Sequence, residues 1–237
     1  MLIVGGVDIG NRLDVGPRMM SAIRDSDIVL VENKHLFDNL CKDLAIVPSG
    51  SVIEYYAPMD EELEDPIILK VIEALKSNKD VLICPDDGMA SIADPGGKII
   101  VIAHEEGLPV EVIPGPSIIS ALPAILGIGG KSFIFEDDIP GESSDIRIER
   151  LVWVKESKMP YLFLIKNRRD DNSKVLEILK DIETVFGKYC QVGIGINVSM
   201  SNQTIARGSV SKIISKIFDM NIDQSDFISI LIAGNRG

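Results

Sequence analysis

Asp86, Asp87 and Asp94 share one stretch, Pro85-Asp-Asp-Gly-Met-Ala-Ser-Ile-Ala-Asp-Pro-Gly-Gly97. Carboxylates there can hold a cation or accept a proton, and the glycines and prolines let backbone approach a ligand closely. Two further stretches have the same character: Gly6-Val-Asp-Ile-Gly-Asn-Arg12, and Pro114-Gly-Pro-Ser117, which runs straight into an apolar segment. All three also suit ordinary turns, whose residues are the same. The first lacks the G-x-G-x-x-G spacing of a dinucleotide loop. Glu32 closes the apolar run Asp27-Ile-Val-Leu-Val31. A carboxylate in that place serves either chemistry or the capping of the next helix.

Short β-branched runs alternating with amphipathic segments would position these residues. Leu2–Gly5, Asp27–Val31, Ser51–Tyr56, Asp80–Cys84 and Pro109–Ile113 read as strands. Pro17 opens a helix through Arg24, Pro66 opens one through Lys76, and apolar helices follow Gly97 and span Ser117–Leu126. This alternation predicts an α/β first domain, doubly wound on a mainly parallel sheet, over residues 1–130. Ligands of such sheets bind beyond the carboxyl ends of the strands, where the three loops fall. After Gly127-Ile-Gly-Gly-Lys131 the pattern changes. Ser132–Phe135, Tyr161–Ile165, Gln191–Ile196, Thr204–Arg207 and Phe227–Ala233 read as strands, Asn172–Phe186 and Val210–Phe218 as helices, and Asp137–Ser144 as a polar connector. A smaller α/β domain with a mixed sheet over residues 131–237 is expected.

The composition narrows the function. Among 237 residues, 46% are hydrophobic, enough for a real core. No apolar run reaches the roughly 18 residues of a membrane helix, and Met1-Leu-Ile-Val-Gly reads as a strand rather than a signal peptide. A soluble, cytoplasmic protein is expected. Cys41, Cys84 and Cys190 are far apart, and neither His35 nor His104 has a metal-ligand context, so no disulfide framework or metal site is expected. The net charge is −12 and is lopsided: residues 1–136 carry 10 Lys and Arg against 22 Asp and Glu, residues 137–237 carry 14 against 14. Acidity argues against general nucleic-acid binding, although a local basic patch suffices for it.

In order and spacing, the three loops resemble those of the tetrapyrrole methylase superfamily of S-adenosylmethionine-dependent methyltransferases, particularly its small-subunit rRNA ribose 2′-O-methyltransferases. Against that branch's T-P-I-G-N-L-x-D stands Val7-Asp-Ile-Gly-Asn-Arg-Leu-Asp14. Against S-D-A-G-T-P-x-I-S-D-P-G stands Pro85-Asp-Asp-Gly-Met-Ala-Ser-Ile-Ala-Asp-Pro-Gly96, and Ile113–Ser117 reproduces I-P-G-P-S. The resemblance implies two α/β domains with the cofactor in a cleft between them, and a homodimer. By similarity, Asp86 and Met89 flank the methionine part of S-adenosylmethionine, with Ser117 and Ile118 beside it and Ile9 and Gly10 lining the same cleft.

Methyl transfer from a sulfonium needs alignment above all, and a hydroxyl acceptor gains from a base. Glu32, Asp8 and Asp94 are candidates for that base. Lys166, Arg168 and Arg169 form a candidate anion-binding patch for RNA phosphates or tetrapyrrole carboxylates. The chain departs from the branch at Asp8 (proline in the motif), at Met89-Ala90 (Thr-Pro), at Glu32-Asn-Lys-His35 (E-D-T-R), at Ile165–Asp170 (Y-E-x-P-H-R) and at Asn197–Met200 (E-L-T-K). The cofactor loops are kept better than the substrate side; from the resemblance, methyl transfer to an RNA ribose hydroxyl is the leading expectation. A porphyrin- or corrin-precursor C-methyltransferase and a non-catalytic cofactor-binding module of the same fold are the alternatives.

Overall fold

The computed structural model describes residues 1–55, 65–92, 96–128, 131–139, 143–165, 172–220, 222–223 and 226–234. The chain forms two compact units, Met1–Ser117 and Ile118–Gly237.

The first unit contains strands β1 (Leu2–Gly5), β2 (Ile28–Val31), β3 (Ser51–Glu54), β4 (Val81–Cys84) and β5 (Val110–Ile113). Helices α1 (Pro17–Asp25), α2 (Lys34–Asp43), α3 (Pro66–Lys76) and α4 (Gly97–Glu105) connect them. The strands pair in parallel in the order β3-β2-β4-β1-β5. Alternate strand residues face opposite sides. Leu2, Val4, Ile28, Leu30 and Ile83 pack with Ile68, Val71 and Leu75 of α3 and Ile99 of α4. Ile3, Val29, Val31 and Leu82 pack with Met19 and Ile23 of α1 and Phe37 and Leu40 of α2. Each large apolar side chain so buried contributes roughly 1.5–3 kcal/mol. Helix starts follow the local chemistry: Pro17 and Pro66 occupy first turns, Asn33 Oδ1 accepts from the His35 and Leu36 amides, and Asp65 caps α3.

The second unit carries α5 (Ile118–Leu126), β6 (Ile134–Glu136), α6 (Ser144–Ser157), β7 (Tyr161–Ile165), α7 (Asn172–Phe186), β8 (Gln191–Ile196), β9 (Thr204–Ser209), α8 (Val210–Lys216) and β10 (Ile228–Ile232). Its sheet runs β6-β7-β10-β8-β9 and is mixed: β6 and β7 are parallel and the other neighbours antiparallel. Tyr161, Phe163, Ile194 and Ile230 pack with residues of α6, α7 and α8. On β8, Gly193 and Gly195 leave room for α5. A Cβ at Gly195 would come within 2.5 Å of Leu122, and one at Gly193 would collide with Leu126.

Both sheets match the expected two α/β domains. The division falls before α5, ahead of the boundary expected near residue 130, because α5 packs its buried Leu122 and Leu126 against β8. Helix α6 was not expected. Its Arg147 is buried while Ile146, Val152 and Trp153 are exposed, which inverts the usual periodicity. Arg147 Nε donates to Asp181 Oδ2 at 2.8 Å, a second guanidinium nitrogen pairs with Glu177, and Ser144 Oγ donates to Asp181 Oδ1 at 2.6 Å. Among the described residues, no helix is long and apolar enough to cross a membrane.

Candidate active site at the carboxyl ends of the first sheet

Strand order sets the site. β4, β1 and β5 are neighbours, so the loops leaving their carboxyl ends are adjacent. The β4 loop lies antiparallel along the chain leaving β1. Val7 N–H donates to the Gly88 carbonyl at 2.9 Å, Gly88 N–H to the Asp8 carbonyl at 3.0 Å, and Ala90 N–H to the Gly5 carbonyl at 3.1 Å. The β5 loop closes onto both. Gly115 N–H points to Met89 Sδ at 3.2 Å, and a Cβ on Gly6 would lie 2.5 Å from both Gly115 N and Met89 Sδ. A Cβ on Gly115 would lie 2.6 Å from the Gly6 carbonyl carbon. Side chains at Gly6 and Gly115 would force the loops apart.

Beside this junction the sequence-predicted residues fall as follows. Ile9 is half-buried and Gly10 exposed, with Gly10 at φ +127°. The Ile9 side chain lies 3.8 Å from where a Gly88 Cβ would stand, and the Pro116 carbonyl 4.0 Å from it. Asp86 and Met89 are half-buried on the β4 loop, and Ser117 is half-buried at the end of the β5 loop. Ile118 begins α5 and so belongs to the second unit. The structure thus brings Ile9, Gly10, Asp86, Met89 and Ser117 onto neighbouring loops. Glu32 is half-buried at the end of β2, lining a pocket of about 10 Å³ with Leu30, Tyr55, Ile83, Cys84 and Pro85. That pocket holds no more than a water. Asp8 is 1% exposed, and both its oxygens are engaged: Oδ1 accepts from Gly10 N–H at 2.9 Å and Oδ2 from Arg12 Nη1 at 2.7 Å. Asp94, Lys166, Arg168 and Arg169 lie outside the described residues.

Two contributors escaped the sequence reading. The Asn33 amide donates to Asp86 Oδ1 at 3.2 Å, tying the start of α2 to the β4 loop. Glu54, at the end of β3, accepts from the Lys34 amide at 3.0 Å and adds negative charge near Asp86. The signal for both was only their place at the ends of β2 and β3. Burial raises the Asp86 carboxyl above its ordinary value; the Asn33 amide opposes this and Glu54 reinforces it. Burial also pushes the Cys84 thiol up, so the cysteine beneath the loop is no nucleophile.

A parallel sheet whose adjoining βα loops converge on glycines, with a half-buried carboxylate on one of them, has the form in which α/β proteins hold ligands beyond their strand ends. The chain belongs to the Tetrapyrrole (Corrin/Porphyrin) Methylases, which it matches over residues 1–214. Its family places it among the methyltransferases. It is 28% identical over 214 residues to a ribosomal RNA small subunit methyltransferase I of Thermotoga maritima, covering 90% of each chain. To the protein of that name from a Hydrogenobaculum species it is 26% identical over 235 residues, covering 99% of this chain and 96% of the relative. Among solved structures it is similar to a cobalt precorrin-4 methyltransferase (TM-score 0.66, 15% identity, 98% and 93% coverage). It is also similar to a diphthine synthase (TM-score 0.67, 17% identity, 98% and 89% coverage). These structures bear on the fold alone.

Proposed function

We propose that the chain is an S-adenosylmethionine-dependent methyltransferase whose acceptor is a ribose 2′-hydroxyl of small-subunit rRNA. The convergence of the β1, β4 and β5 loops at Gly6, Met89 and Gly115, with Asp86 at the rim, is the observation that carries the cofactor half of this reading. Relatives named ribosomal RNA small subunit methyltransferase I, matched over nearly the whole chain, support the acceptor half.

The site's residues fit such a cofactor. Asp86 supplies a carboxylate for an ammonium or hydroxyl donor, and Met89 and Ile9 supply apolar surface. When bound, the cofactor supplies an electrophilic methyl group on a sulfonium. The chain's own work is then alignment and exclusion of water. Asp86 and Ser117, with Ile9 and Gly10 on the neighbouring loop, are the residues that would hold the cofactor. Glu32 is the candidate to accept the hydroxyl proton from its place at the end of β2, with Asp94 as second candidate. Lys166, Arg168 and Arg169 are assigned to RNA phosphates. A cytoplasmic homodimer completes the reading.

The test is transfer of labelled methyl from S-adenosylmethionine to small-subunit rRNA, free and in assembled subunits, beside uroporphyrinogen. A 2′-O-methylated linkage resists alkaline hydrolysis because the attacking hydroxyl is blocked, so an alkali-stable labelled dinucleotide identifies the product. Label in uroporphyrinogen alone would refute the acceptor and keep the cofactor.

A further inference from the structure

We infer that Asp8 is a positioning residue: with Arg12 it clamps the Ile9–Gly10 tip in the conformation that receives the cofactor. This rests on the proposed function and assigns Asp8 a task other than that of a base.

A general base must offer an oxygen to the acceptor. Asp8 offers none. It is 1% exposed, Oδ1 is taken by Gly10 N–H two residues on, and Oδ2 by the Arg12 guanidinium. The same residue's carbonyl accepts from Gly88 N–H, so its backbone is stitched to the β4 loop while its side chain folds the next turn back on itself. That turn needs Gly10 at φ +127°, a region side chains avoid. Arg12 also reaches outward: its Nε donates to Asp43 Oδ2 at 3.2 Å, at the end of α2. The outer pair is half-exposed and screened, and contributes little. The inner pair is desolvated on its Asp8 side, where removing one partner leaves a buried charge unanswered. The clamp therefore works through Gly10–Asp8–Arg12, and Asp43 is accessory. Its consequence is ligand affinity, because a tip ordered beforehand loses less freedom on binding.

The experiment measures the affinity of the full chain for S-adenosylhomocysteine by calorimetry and, in the ligand-free protein, exchange of the Gly10 amide by NMR. Asp8→Ala is expected to weaken binding about tenfold, equivalent to about 1.4 kcal/mol, and to expose the Gly10 amide to exchange. Asp8→Asn keeps an acceptor for the Gly10 amide but turns an NH2 toward the Arg12 guanidinium, so it should recover the protection of that amide while binding as weakly as Arg12→Met. Arg12→Met should weaken binding as Asp8→Ala does, with no further loss in the double variant, whereas Asp43→Ala should bind as wild type. A wild type that binds while Asp8→Ala binds equally well overturns the positioning role. So does an Asp8→Asn whose Gly10 amide exchanges as freely as in Asp8→Ala while the variant retains the wild-type melting temperature. A folded wild type that does not bind refutes the proposed function, and the role with it.

Discussion

At the residue scale, Asp86 is the sharpest case. Its raised pKa means the folded protein holds that proton more tightly than the unfolded chain does. Asp86 therefore favours the fold most at low pH, and this contribution is lost as pH rises through the raised value. Ligand binding runs the other way, because a cation needs the ionised form. The affinity for S-adenosylhomocysteine, whose ammonium is charged throughout, should weaken as pH falls through the raised carboxyl value. Asp86→Asn should bind about tenfold more weakly at neutral pH and show a flatter profile in calorimetric titrations. Parallel profiles for wild type and variant would remove Asp86 from the site. The sequence revealed Asp86 through its loop and strand, yet it could not reveal that Asp8 faces inward. A carboxylate between Val7 and Ile9 reads alike whether it meets solvent or an arginine four residues on, and only folding decides which.

At the element scale, the strands and most helices were legible because apolar periodicity carries them. The failures came where an element breaks its own pattern. In α6 a buried arginine with partners on α7 replaces an apolar residue, and periodicity alone cannot anticipate a partner 34 residues away. The loops are different: their glycines were visible, but not that Gly6 and Gly115 press on each other. Gly6→Ala should therefore separate the β1 and β5 loops, lowering stability by about 1–3 kcal/mol through overpacking. It should cost S-adenosylhomocysteine affinity at least about tenfold. Gly16→Ala is the control, since nothing lies within 4 Å of its Cβ position. Equal binding by the Gly6 and Gly16 variants would show that loop contact is irrelevant to the site.

At the scale of the whole molecule, each unit has its own core. The single tryptophan, Trp153, lies on α6 with Arg150 stacked 4.1 Å from its ring, so its fluorescence reports on the second unit. Asp181→Ala would leave Arg147 without its principal buried carboxylate, at a cost of about 3–5 kcal/mol. In urea, the fluorescence transition should move to lower denaturant, and circular dichroism, which samples both units, should cease to coincide with it. A superimposable pair of shifted transitions would mean that the units unfold as one. The acid-rich first unit and charge-balanced remainder were plain in the sequence. The position of the break was not, because α5 carries no mark of which sheet it will cover, and the glycines that receive it are some seventy positions further along.

The break between the units also falls where the β5 loop ends. Pro114–Ser117 presses on the β1 loop, and the next residue already belongs to the other unit. Genetic exchange between relatives is thereby constrained. On the proposed function, a crossover at the unit boundary would join one parent's β5 loop to the other parent's α5. Chimeras that keep 110–126 from a single parent should retain ligand affinity more often than those cut at 117, and a small panel of recombinants would show it.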